Sequence, residues 1–503
     1  MVFGMVNTSC NRIINISGNL TLKHAVIRQA VQCVTGDADG VRIINTDILA
    51  CEQAVALTSG SRREFDTDAL QPSDFVMRNS RAMYSNDGVV LTGVNSYKYF
   101  YISSSSFSHN QYGIRNWNWA NALGEIETHL YVADCHIEAN RHTAILDNTR
   151  SYVTVERTSL IGPSLWGYSS ARRTPVKLSF RNSYFTGFWR LAVYSSCYDC
   201  ISNWSFYNNQ FVNVDENIKL RHDGSGRGHL NVEIVNNTFY GSPRYRPDDL
   251  YTMFIAVTTR DKVLVQNNTF DSIPGGITIN PHPYGDNTIA PALLTENRFI
   301  NIGPSEVAIR TRATVNITGN TFQNCTAPSL IELESGSDHV ISENKFINNT
   351  MSSQCLLSVR ENPYEPYSSI QANRNYWDSQ DVSRIKGAIC DFFLDSSRAR
   401  VEMIEFYTSP DMSTTVNHHD DFRYEFRSDL NATVIGGVIT SSSTISLDTG
   451  FGDKLIVNRS IIVEPGANVD LHSVVMEFAA NRGMVVFGKT MYMYFVVALQ
   501  HFY

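Results

Sequence analysis

Side chains able to act on a glycosidic bond are scattered through the 503 residues. Asn45-Thr46-Asp47, Gly228-His229, Arg384-Ile385-Lys386 and Asp420-Asp421 are clusters of the kind a hydrolase uses. In such an enzyme one carboxylic acid protonates the leaving oxygen and a second activates water. Nearly the whole chain separates Asp47 from Asp420, so their spacing does not argue for one site. Elimination chemistry would need several carboxylates holding Ca²⁺ beside an Arg or Lys base. Asp37-Ala38-Asp39-Gly40 is the nearest segment to that, and a solvated turn accounts for it equally. Asp215 and Glu216, followed by Arg221-His222-Asp223, form the densest polar group in mid-chain. Cys197 and Cys200 make a C-x-x-C without a second pair, so zinc is not expected; a local disulfide and two buried thiols both stay open. His418-His419-Asp420-Asp421 has no further ligands at a defined spacing. There is no G-x-S-x-G and no phosphate loop. No catalytic residue, metal or cofactor is expected.

The elements that carry these residues repeat. NNTF ends at Phe239 and again at Phe270, NRF at Phe299, NTF at Phe322 and NKF at Phe346. Before each Asn, apolar residues alternate with polar ones, as in residues 262–266 and 313–317, the pattern of a short strand with one buried face. The Asn tolerates the left-handed backbone of a sharp corner, and the Phe two places on returns inward. Repeats of this length mark a solenoid. If coils stack about 4.8 Å apart, the corner amides bond from coil to coil. The expected ladder is Asn182, Asn209, Asn237, Asn268, Asn297, Asn320, Asn344 and Asn375. The fold class expected is all-β, a right-handed parallel β-helix.

Earlier segments carry weaker copies, so residues 1–40 are expected to hold incomplete coils and residues 41–410 the main β-helix with its closing cap. Long loops at 59–73, 115–127, 222–229, 242–250, 281–291 and 361–368 should project from its flank and offer binding surface. After Asn375-Tyr376-Trp377 the period becomes helical over Val382, Ile385, Ile389 and Phe392, capped by Asp378 or Ser379, as suits a segment near 380–395 that covers an open end. A polar linker is expected at 411–430 and the start of a second β-helix at 431–503, its pattern lost from residue 490.

Only 18% of residues are charged and the net charge is −8, so no basic stripe for nucleic acid stands out. Eleven N-x-[ST] sequons occur, at Asn7, Asn15, Asn19, Asn203, Asn236, Asn267, Asn316, Asn324, Asn348, Asn431 and Asn458; the last eight are the glycosylation candidates, several of them at coil corners. The nine cysteines are an odd number. No secretory leader or membrane span is visible, and a sequon-rich chain without either reads as part of a longer protein.

Asn375-Tyr376-Trp377-Asp378, then Ile385, Ile389, Asp391, Phe392, Asp395 and Val401, resembles an ending shared by many β-helix proteins, with Asp378 where Gly is usual. The segments Ile461 to Ala467, Val475 to Phe478, Arg482-Gly483-Met484 and Gly488-Lys489 resemble the start of the next module in the bark beetle (Anakonda) family. Those proteins cross the membrane once and carry extracellular β-helix modules and scavenger-receptor-like domains; they organise junctions, notably where three epithelial cells meet. The resemblance implies a non-catalytic extracellular scaffold at the plasma membrane or cell junction, or a secreted one. Its partners would be junction or matrix proteins, homophilic pairing included, and N-glycans, with membrane contact only through other parts of the parent chain. The alternative is a carbohydrate-active β-helix protein, a polysaccharide lyase, hydrolase or glycan-binding module. Polygalacturonase-like enzymes carry NTD, DD, GHG and RIK in that order; here RIK precedes DD, and Gly228-His229 lacks the final Gly.

Overall fold

The computed structural model describes residues 2–3, 12–16, 19–37, 40–58, 75–92, 98–117, 128–138, 140–148, 151–162, 166–170, 177–188, 190–195, 201–214, 218–222, 229–241, 255–259, 262–281, 291–304, 306–333, 339–351, 355–360, 369–421, 423–427, 432–446, 455–472, 474–487 and 491–494. Most of the expected projecting loops therefore lie outside the described residues. The chain forms two compact units, Met1–Glu306 and Val307–Tyr503.

One coil of the first unit shows how sequence makes structure. In Val41–Ile44, Val41 and Ile43 are buried while Arg42 is exposed, the alternation of a pleated strand with one dry face. Asn45 then turns the chain with φ 50°, a conformation Asn adopts more readily than other side-chain-bearing residues. Buried Thr46 follows, and the strand Asp47–Leu49 turns only Ile48 inward. A second corner, Ala50 at φ 55° and buried Cys51, leads into Gln53–Thr58.

Repeating this coil builds three parallel sheets. Sheet 1 stacks Leu20–Lys23, Val41–Ile44, Phe75–Arg78, Lys98–Ser103 and their successors to Ala292–Thr295. Sheet 2 stacks the short strands from Val2–Phe3 and Val26–Arg28 to Arg298–Ile300, and sheet 3 those from Arg12–Ile16 to Ile277–Pro281. The result is a right-handed parallel β-helix, the hand that parallel crossovers almost always take. The coils reach back to Val2–Phe3, and the strands within residues 12–37 make a full turn rather than an incomplete one. Cys33 and Cys51 are joined by a disulfide.

The second unit repeats the architecture on Val315–Thr318, Thr321–Gln323 and Ile331–Leu333 and their successors. Its helix is shorter than the sequence suggested: Val382–Gly387, capped by Asp381, whose carboxylate accepts from Ser383 N–H at 2.9 Å. Ile389 leaves the helical pattern because Ile389–Cys390 pairs with Leu357–Val359, and Cys390 is disulfide-bonded to Cys355. The expected linker is largely structured. Thr415–Asn417 pairs antiparallel with Glu405–Tyr407, and Arg423–Arg427 antiparallel with Ala432–Ile439. Ala432–Ile439 then pairs with Leu455–Val463 in parallel, which pairs in turn with Met476–Phe478 and Met484–Val486. The repeat continues past residue 490, since Met491–Tyr494 pairs with Val469–His472.

Candidate functional site

The buried corner residues form the most regular polar array. In the first unit Asn237 Oδ1 accepts from Asn209 N–H at 2.9 Å and from Asn209 Nδ2 at 3.0 Å, while Asn237 Nδ2 donates to Phe206 O at 2.9 Å. Asn268 does the same for Asn237, and Asn297 for Asn268. In the second unit Asn344 serves Asn320, and Asn375 serves Asn344. Each amide thus satisfies a backbone N–H that would otherwise be orphaned in the interior.

Asn182 is not a rung of this ladder. It is the left-handed corner, φ 50°, and its carboxamide accepts from Asn208 on the surface. The rung is Ser183, whose N–H bonds Asn209 Oδ1 at 3.0 Å. Two polar residues adjoin at this corner, and only the second, two places before Phe185, turns inward. Before Asn209 the same place is held by Thr46, Ser80, Ser105, Cys135, Thr158 and Ser183, so no Asn repeat marks it. Where a hydroxyl stands there it bonds its own strand's carbonyl and accepts the preceding rung's N–H, as Ser80 does for Thr46. A second ladder, on Ser85, Asn110 and Asn140, follows sheet 2, where no recurring Asn-x-Phe marks it in the sequence. Asn349 plays this part in the second unit.

Of the candidate catalytic residues that are described, only Lys386 and Asp420 come together. Asn45 and Thr46 are corner residues, and Asp47 is ion-paired with Arg81 at 2.5 Å on the outer face of sheet 2. Asp215, Glu216, Asp223, Gly228, Ala38, Asp39, Cys197 and Cys200 lie outside the described residues. Arg221, His222 and His229 belong to strands. Lys386 and Asp420 do meet, Nζ to Oδ2 at 2.7 Å, with Arg459 at 3.2 Å and His418 Nε2 at 3.4 Å from Oδ1. Burial pushes the Asp420 carboxyl up, but His418, Lys386 and Arg459 outweigh it and hold the group well below the usual carboxylate range. Nearby Asp391 is raised by its burial, which Lys386 and the Val401 and Phe393 N–H groups only partly offset. These carboxylates accept from the protein itself. They clasp the helix, residues 418–420 and the second series together, beside a core of Phe392, Phe393, Val438 and Ile462.

On the outer face of sheet 3 a side-chain row crosses the coils: Arg12 donates to Gln32, Gln32 to Gln53, and Gln53 and Arg115 both reach Asp87 at 3.4 Å. Burial raises the Asp87 pKa against the pull of Arg115 and Gln53. His142, beside Tyr112, is lowered by burial and by Arg115. Residues 20 to 34 positions apart along the chain meet here, beyond the reach of local motifs. Among the described residues no group of three or more His, Cys, Asp or Glu could hold a metal ion.

Asn236 and Asn267 occupy exposed left-handed corners, with Asn267 Nδ2 donating to Asn236 Oδ1 at 2.8 Å. Asn324 and Asn348 also occupy exposed left-handed corners, those that follow the short strands Thr321–Gln323 and Lys345–Ile347. Asn203 and Asn458 are exposed on strands and Asn316 is half-buried; Asn431 lies outside the described residues. Among the described residues no helix is long and apolar enough to cross a membrane.

Residues 221–375 match the family described as right handed beta helix region. No curated protein and no solved structure matches the chain.

Proposed function

We propose that this chain is a non-catalytic extracellular scaffold, part of a single-pass membrane protein that organises cell–cell junctions or adhesion. The observation that carries the reading is the clasp in the second unit. A second β-helical series is fastened onto the cap of the preceding coils through Lys386, Asp420 and Arg459 and through the Phe392, Phe393, Val438 and Ile462 core. A chain built of β-helical modules set one upon another makes extended surface. The restart at Ile461 to Ala467 resembles the bark beetle (Anakonda) family, whose junction role comes to this chain by that resemblance alone. Exposed sequons at coil corners suit the same location, since a glycan there would point to solvent.

The test is to tag the protein in epithelial cells that make it naturally and to follow it by surface biotinylation and imaging. Labelling from outside and enrichment where cells meet is the expected result. A protein sealed from the reagent, or one that releases reducing ends or unsaturated products from uronate polysaccharides, would overturn the reading.

A further inference from the structure

The outer face of sheet 1 in the first unit changes character along its coils. Strand register places Thr21, Arg42, Val76, Tyr101 and Tyr131 in one outward file, and Lys23, Ile44, Arg78 and Ser103 in the next. Lys23, Arg42 and Arg78 are all exposed, and no ion pair or hydrogen bond engages their side chains among the described residues. Among the described residues, Asp47 is already paired with Arg81 on sheet 2, and Asp134 and Glu156, coils further on, with Arg157. Coils stand about 4.8 Å apart, so these three cations, without a side-chain partner among the described residues, share a patch only two coil spacings deep.

Beside them runs a row of rings. Tyr99 stacks on His129 at 4.4 Å and His129 on Tyr152 at 4.5 Å, while Tyr101 stacks on Tyr131 at 5.2 Å. Rings stacked face to face along the coil axis present their edges outward and hold one another in place. Sugar rings prefer an open aromatic face, and such a row offers little of it. Pre-ordered Tyr edges next to Arg are instead what protein interfaces favour, because they supply contact area at small entropic cost. A third feature is independent of both. No sequon occurs between Asn19 and Asn203, whereas eight follow from Asn203 onward.

We infer that the outer face of sheet 1 around Lys23, Arg42, Arg78, Tyr99 and Tyr101 docks an acidic peptide segment of a protein partner. Arg42, Arg78 and Lys23 take its carboxylates, and the Tyr–His rows pack against its apolar or aromatic residues. The sequon argument rests on the scaffold reading above; the charge and ring arguments do not. The test uses the whole chain and a fluorescent peptide of Glu and Asp with one central Tyr, with a sulfated polysaccharide, a DNA duplex and anionic lipid vesicles as competitors. The native chain should bind the peptide, more weakly as salt rises. Joint substitution Lys23→Glu, Arg42→Glu and Arg78→Glu should weaken binding by about tenfold or more. Tyr101→Ala should weaken it by a smaller factor, and Arg298→Glu on sheet 2 should leave it unchanged. Thermal melting checks that each variant folds, and Arg42→Glu alone carries the test if the triple variant does not. Absence of peptide binding, equal loss in Arg298→Glu, or tighter binding of the polysaccharide, duplex or vesicles at the same residues would overturn the inference. Binding in solution does not depend on cellular location, so failure here and failure of the scaffold reading are separate results.

Discussion

Asn267 and Asn268 are the same residue type one peptide bond apart, yet they do opposite work. Asn268 is buried, accepts from Asn237 and donates to Ile234 O at 2.8 Å, whereas Asn267 faces solvent at φ 53°. Asn268→Ala should therefore cost about 1–3 kcal/mol for each buried backbone group left unpaired. Asn268→Asp should cost more, because a carboxylate cannot donate to Ile234 O and would be charged in a dry interior. Asn267→Gly should change stability by less than roughly 0.5 kcal/mol, since glycine adopts that backbone freely, as Gly319 does at φ 70° in the equivalent corner. Denaturant unfolding of the three variants checks the order. Cys135 is another rung, buried and bonded to Ala133 O, and burial pushes its thiol up to about 12. Cys135→Ser should leave the number of thiols that react in the native protein unchanged, while native and variant differ once unfolded. This scale was half legible in the sequence. An Asn followed two places later by Phe announces a rung, but Ser, Thr and Cys in the same place look like ordinary strand polarity; two places before Phe185 stands Ser183, and the more conspicuous Asn182 is the corner.

At the scale of elements, the rows of rings and the clasp decide stability. Phe185, Phe211, Phe239, Phe270 and Phe299 stack in sequence, with centroids 4.6 to 4.8 Å apart. Phe270→Ala removes a ring stacked on both faces and should cost about 3–5 kcal/mol. In the second unit Phe322, Phe346 and Trp377 continue the device. The strands and their period were legible because alternation and aromatic return are local. The helix was overread, since Ile389 has the helical spacing and still pairs with Leu357. The composition of residues 411–430 suggests solvent, whereas one buried ion pair, Lys386 with Asp420, and antiparallel strand pairing fasten the segment. That pair sets a pH dependence. The folded Asp420 pKa lies below its unfolded value of about 3.9, so its contribution is present above that pH and is lost as pH falls through the folded pKa. Asp420→Asn should destabilise the protein at neutral pH by roughly 3–5 kcal/mol, and the gap from the native protein should narrow in acid. Melting curves across pH check this. Asp391, raised by burial, works in the opposite sense: its contribution is fullest in acid and declines as pH rises through its folded pKa.

At the scale of the molecule, a solenoid sums its coils and gains surface with every turn. Among the described residues, several carboxylates hold coils together: Asp47 with Arg81, Asp420 with Lys386, Asp87 with Gln53 and Arg115. The fold was written plainly in the repeats, because each coil obeys local rules. The outward assemblies on sheets 1 and 3 were not, because residues such as Lys23, Arg42 and Arg78 meet only through stacking. The measurement that bears most directly on the scaffold reading is glycopeptide mapping of the protein isolated from cells that make it naturally. Glycans are expected on the exposed corners Asn236, Asn267, Asn324 and Asn348. Unmodified asparagine at all four would contradict an extracellular scaffold.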